Sequence, residues 1–111
     1  MKVIVYNKLV RDKIPRIIQD DGAFPRIKRL TTKKRFLVEL RKKLAEEVAE
    51  LQKAKKKKDI VNELSDVLEL LFGIARAENL SWKAVLKKQK EKKRTRGGFE
   101  KKLFLKSVRK P

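Results

Sequence analysis

Seven of the chain's 14 acidic residues (Glu46, Glu47, Glu50, Asp59, Glu63, Asp66 and Glu69) fall within one short window of a protein that otherwise carries 33 Lys and Arg. Four of them form two pairs at a spacing of three, Glu47 with Glu50 and Glu63 with Asp66. On a helix, residues three apart are surface neighbours, so each pair offers two carboxylates to one side. Two such helices lying antiparallel would bring the pairs face to face. Four ionised carboxylates held close together repel and are costly to desolvate, so they persist only if protons, basic side chains or cations neutralise them. An all-oxygen set selects hard cations, Mg²⁺ first with Mn²⁺ as a substitute.

Other routes to chemistry are closed. There is no cysteine and no histidine, which removes thiolate and imidazole metal ligands, Cys nucleophiles, disulfides and histidine as a general base. Carboxylates, hydroxyls, Lys and Arg must do whatever is done.

The elements that would carry the acids can be read from periodicity. Phe36, Leu37, Leu40, Leu44, Val48 and Leu51 recur at spacings of three and four, predicting a helix over 33–56 with Thr31 or Thr32 as its cap. Ile60, Leu64, Val67, Leu68, Leu71, Ile74 and Ala75 predict a second over 60–78, capped by Asp59 and closed by Asn79. The short lysine-rich link between them favours antiparallel neighbours. At 100° per residue, Glu47 falls on the edge of the first apolar arc with Glu50 further round, and Glu63 falls inside the second arc with Asp66 toward its polar side. A surface salt bridge is a poor explanation for Glu47 and Glu63, since unpaired charges are seldom buried. Glu46 faces away from the core, where pairing with a lysine is its expected use.

Ser81 caps a third helix anchored by Trp82, Val85 and Leu86, which Gly97-Gly98 ends. Short extended stretches are expected at residues 2–6, at Ile27 to Leu30 and, as a terminal strand, at Phe99 to Val108. Pro15 marks a helix start or an interruption, and Asp21-Gly22 a turn. At 111 residues, with no repeat and no long linker, the chain reads as one mainly α domain spanning 1–111, built on an antiparallel helical hairpin with short terminal strands. No signal peptide and no apolar span is evident, so the cytoplasm is the expected compartment and no membrane is expected as partner.

The pattern Glu46-Glu47-x-x-Glu50, twelve residues, then Glu63-x-x-Asp66 resembles the metal motif of the all-α NTP pyrophosphohydrolase superfamily, the MazG-like and phosphoribosyl-ATP pyrophosphohydrolase-like proteins. The segment from Tyr6 to Pro15 (YNKLVRDKIP) and Arg96-Gly97-Gly98-Phe99 resemble one small, house-cleaning branch of it. The resemblance covers nearly the whole chain. It implies an α-helical core, a homodimer or homotetramer, and cleavage of a nucleoside triphosphate-like substrate between its α- and β-phosphates to give a nucleoside monophosphate and pyrophosphate. Residue by residue, it makes Glu47, Glu50, Glu63 and Asp66 the Mg²⁺ ligands.

A divalent cation suits that reaction, because it offsets charge on the leaving pyrophosphate and acidifies water. Without histidine, Glu46 or Glu47 is left as the conventional base. Lys8, Arg11, Lys13, Lys90, Arg94 and Arg96 lie in or beside the segments that match the branch and are the candidates for substrate phosphates, with the three arginines preferred for their bidentate geometry.

The formal charge of +19 exceeds what a small substrate needs. It leaves a second function class open, a basic nucleic-acid-binding module without catalysis, whose affinity would fall steeply with salt. That class accounts for the lysines and not for Glu47 and Glu63, whose charge opposes a polyanion. Adaptation to a hot or salty cytoplasm is another source of the charge, and a non-enzymatic helical oligomerisation role is the third class.

Overall fold

The computed structural model describes residues 2–111. Four helices follow one another: α1 (Ile14–Asp20), α2 (Lys33–Lys53), α3 (Lys57–Ala77) and α4 (Trp82–Arg96). The chain divides into two compact units, Met1–Asn79 and Leu80–Pro111.

In the first unit α2 and α3 pack on each other as a hairpin joined by residues 54–56. α2 starts where Thr32, in an extended conformation, turns its hydroxyl to accept the Arg35 N–H at 3.2 Å. This satisfies one of the unpaired donors of the first turn. α3 begins three residues earlier than Asp59 would dictate as a cap. Its cap position is Lys56, without a side-chain hydrogen bond, and Asp59 instead lies inside the first turn. A carboxylate there favours the positive end of the helix dipole, and lysines are good enough helix formers to extend the helix ahead of it. Asn79 takes a left-handed φ of +57° just past the end of α3, which closes it as expected.

The core between the helices is thin: Leu37, Leu40 and Ala75 are its buried apolar residues. Gly73 lets the backbones approach, since a methyl group there would stand 3.3 Å from Leu40 Cδ2. Lys33 at the start of α2 pairs with Glu78 at the end of α3 at 3.3 Å, which ties the open end of the hairpin. α1 begins with Pro15 in its first turn, where a missing N–H costs nothing, and stops at Asp21-Gly22, with Gly22 at φ +87°.

In the second unit Ser81 accepts the Ala84 N–H at 3.1 Å to start α4, and Gly97 at φ +84° ends it, its N–H donating to Lys93 O at 2.8 Å. The three expected strands do not form: among the described residues no strand occurs at 2–6, 27–30 or 99–108. A strand exists only through a ladder with a neighbour, and these segments find none in the chain. In the tail, Lys102 adopts a left-handed φ of +57° and closes a turn by donating to Phe99 O at 3.0 Å, which interrupts the extended run. Among the described residues no helix is long and apolar enough to cross a membrane.

Candidate metal centre

Three carboxylates meet between α2 and α3. Glu47, Glu63 and Asp66 each present an oxygen, and the three oxygens lie within 4.8 Å of one another. All three side chains are half-buried in the hairpin, Glu47 16% exposed. Hairpin packing places them there, because the apolar residues flanking Glu47 on α2 and Glu63 on α3 turn these two acids inward together.

Glu63 Oε2 is buried and has no hydrogen-bond partner. Two ionised carboxylates are both acceptors, so neither can satisfy the other until one gains a proton or a cation enters. The electrostatics agree. Burial raises the pKa of Glu47 above the ordinary glutamate value, a hydrogen bond to Glu63 raises it further, and the charges of Asp66 and Glu63 add to this, while Lys43 opposes them. A trio in which Glu47 keeps its proton more readily than a free glutamate and Glu63 has a buried oxygen without a partner is matched to a hard cation. The residues therefore fit the divalent ion that their spacing suggested.

Basic groups surround the trio. Arg11 Nη2 donates to Asp66 Oδ1 at 2.8 Å, and Lys43 Nζ stands 3.9 Å from Glu47 Oε1. Lys8 pairs with Glu46 at 3.6 Å, so the N-terminal segment is pinned to α2 through Lys8 and to α3 through Arg11. Asn7, at φ +47°, bends the chain just before this contact. A shallow pocket lined by Asn7, Lys8, Lys42, Lys43 and Glu46, among others, lies alongside and shares Lys43 with the trio.

The remaining predicted site residues fall elsewhere. Glu46 is exposed, outside the trio, and held by Lys8 and by Lys43 at 4.0 Å. Glu50 is also exposed and is not among the three. Lys13 stands at the cap position of α1, makes no side-chain capping hydrogen bond, and is exposed. Lys90, Arg94 and Arg96 are exposed on α4, in the second unit. Lys43 was not anticipated, although its spacing of four from Glu47 and three from Glu46 could have found it.

No curated protein and no solved structure gives a significant match to the chain. The family model described as phosphoribosyl-ATP pyrophosphohydrolase matches residues 16–93, which include α2, α3, the whole carboxylate trio and most of α4. The chain therefore belongs to the phosphoribosyl-ATP pyrophosphohydrolase family, part of the all-α NTP pyrophosphohydrolase (MazG-like) superfamily, which implies pyrophosphohydrolase activity on a nucleotide-like substrate.

Proposed function

We propose that the protein is an Mg²⁺-dependent nucleoside triphosphate pyrophosphohydrolase of the cytoplasmic nucleotide pool, able to use Mn²⁺, that cleaves a nucleoside triphosphate-like substrate between the α- and β-phosphates. The observation that carries this reading is the Glu47, Glu63 and Asp66 trio, one member of which, Glu63, has a buried oxygen without a partner. Glu47, Glu63 and Asp66 would hold the cation, and Glu50, exposed on α2 and outside the trio, is the fourth ligand that the family resemblance implies. A cation held there would supply charge neutralisation at the phosphates and a more acidic water.

The chain's own groups account for the rest. Arg11, positioned by Asp66, presents a guanidinium beside the trio for a phosphate oxygen. Lys8 and Lys43 extend the positive field over that edge, and Lys13, exposed at the start of α1, is a further substrate-binding candidate. Water oxygen bonds to the α-phosphorus, the bond to the bridging oxygen breaks, and pyrophosphate departs with that oxygen. The proton lost by water goes to a carboxylate. Glu46 and Glu47 are the candidates: Glu46 lies outside the trio, exposed and engaged by Lys8 and Lys43, whereas a cation held by Glu47 would offset the proton affinity that burial raises there. Lys90, Arg94 and Arg96, exposed on α4, are further phosphate-binding candidates, and residues 1–111 are proposed as a single domain, of which the family match covers 16–93.

A second copy completes the particle, as a homodimer or a pair of dimers. Val61, Leu64, Leu68 and Leu71, spaced three, four and three, form an exposed apolar seam on α3, well round the helix from Glu63 and Asp66. α3 has four acids against three basic residues, so this helix adds no positive charge of its own to the repulsion between two +19 chains.

The test is a panel of nucleoside triphosphates and phosphoribosyl-ATP, read by pyrophosphate release with Mg²⁺, with Mn²⁺ and with chelator. Turnover should require the metal and vanish in Glu63→Gln with the helical content intact. A panel with no metal-dependent turnover sinks the reading.

A further inference from the structure

Leu80–Pro111 carries 13 Lys and Arg against two acids. The apolar residues of α4 are confined to its first turns, and from Lys87 to Arg96 there are seven basic residues, Glu91, two uncharged polar residues and nothing apolar. Like charges at spacings of three and four destabilise a helix, and this stretch has no buried face to offset them, since α4 buries no residue. The two acids answer Lys88, at 3.6 Å from Glu91, and Lys93, at 3.7 Å from Glu100. Lys83, Lys87, Lys90 and Arg94 succeed one another at spacings of four, three and four and share one side of the helix. Among the described residues none of these four has an ion-pair partner. They form a row about 16 Å long at 1.5 Å per residue.

A second observation comes from beyond the helix. Phe99 is 96% and Phe104 88% exposed, with Lys101, Lys102 and Lys106 interleaved and Leu103 and Leu105 also open to solvent. Aromatic rings interleaved with cations beside a basic row are what a flexible polyanion with unpaired bases requires: cations track the backbone and rings stack on bases. An anionic membrane fits less well, because a surface-lying helix needs an apolar face along its length and α4 has none past Leu86. A duplex hides its base faces and would leave the phenylalanines without a role.

We propose that the Leu80–Pro111 unit binds single-stranded nucleic acid, with the Lys83, Lys87, Lys90 and Arg94 row on the phosphates and Phe99 and Phe104 stacked on bases. This goes beyond the hydrolase reading and stands independently of it. Lys90 and Arg94 meet phosphate in either role, so the discriminating substitutions avoid them.

The experiment uses the full chain in chelator, with a fluorescent oligouridine of about 20 nucleotides and a duplex of equal length, followed by anisotropy across a salt series. Single-strand affinity should exceed duplex affinity and fall linearly in log–log form. The double variant Lys83→Glu/Lys87→Glu should weaken binding at least tenfold and flatten the salt slope by about 1.4. Phe104→Ala should weaken single-strand binding about fivefold or more, leaving the salt slope and duplex binding unchanged. Lys83→Gln/Lys87→Gln, with unchanged circular dichroism, should reproduce the loss in milder form and guards against misfolding. Equal or better duplex binding, no binding at physiological salt, unaltered affinity in both Phe99→Ala and Phe104→Ala, or preferential binding to phosphatidylglycerol vesicles would each overturn the proposal.

Discussion

Arg11 and Asp66, 55 positions apart, meet through an Nη2 to Oδ1 contact of 2.8 Å that ties the non-helical N-terminal segment to the carboxylate trio. The pair is partly solvated on both sides, so its worth to stability is small, roughly 0–1 kcal/mol. Its weight falls on function. Arg11→Ala should shift the melting temperature by only a few degrees while lowering kcat/KM for pyrophosphate release at least about tenfold, a loss of ~1.4 kcal/mol in transition-state binding. Arg11→Lys keeps the charge and loses the planar fork, and should recover only part of it. A wild-type kcat/KM in Arg11→Ala would remove this arginine from the site.

Glu63→Gln separates stability from activity. The substitution keeps the shape, removes one of three like charges, and adds an amide donor that can satisfy Glu47 or Asp66. In metal-free buffer it should raise the denaturation midpoint. It should also abolish the stabilisation that added Mg²⁺ or Mn²⁺ gives the wild type. Glu50→Gln, altering an exposed residue outside the trio, should move both readings far less. Thermal melts of the three proteins with and without metal decide the matter.

The raised pKa of Glu47 makes stability depend on pH with a definite sign. Below the ordinary glutamate value of 4.5 the group is protonated in both the folded and unfolded states and carries no penalty. As pH rises from 4.5 through the elevated folded value, the unfolded chain releases the proton more readily, so the metal-free protein loses stability across that window. Burial is the first cause and the hydrogen bond to Glu63 the next. Glu47→Gln should therefore flatten the limb of the melting profile above pH 4.5. Saturating Mg²⁺ should flatten it too, since the cation displaces the proton. A wild-type profile level from pH 4.5 to 7 would contradict the strained trio.

Much of this centre was legible in the residues themselves, for a physical reason. Glu47 and Glu63 sit on or inside apolar arcs, and helical projection converts sequence position into a face without knowledge of tertiary structure. Thr32, Ser81, Asn79 and Gly97 punctuate the helices by local chemistry, and each acts where that chemistry places it. Glu50 shows where spacing stops being informative: three residues on from Glu47 it is a neighbour, yet the remaining rotation carries it into solvent. Arg11 could not be placed by periodicity, because it lies in an irregular segment, and only the family resemblance pointed to it. Asp59 misled because a good capping residue is also a good first-turn residue, and the lysines before it are content in a helix. The absent strands were read from β-branched and alternating composition, which reports fitness for a sheet and says nothing of whether a partner strand exists.

The α3 seam yields the remaining prediction, and salt gives it a distinctive signature. Leu64 and Leu68 are 51% and 43% exposed in the middle of the hairpin's second helix, where a single copy leaves them in water. A two-fold contact through α3 uses each seam residue twice, and about half of each leucine's surface is still open, so losing the burial of one leucine costs about 1.5–3 kcal/mol, or roughly one to two orders of magnitude in dimer affinity. Leu68→Glu should therefore sediment as a monomer at micromolar concentration where the wild type is dimeric or larger. Because each copy carries +19, dimerisation driven by apolar contact should strengthen as salt screens the repulsion, opposite to the weakening expected for nucleic-acid binding. Phe104→Ala, in the other unit, should leave the mass unchanged. A wild type that stays monomeric in high salt, or a Leu68→Glu variant that still dimerises, would move the interface away from this seam.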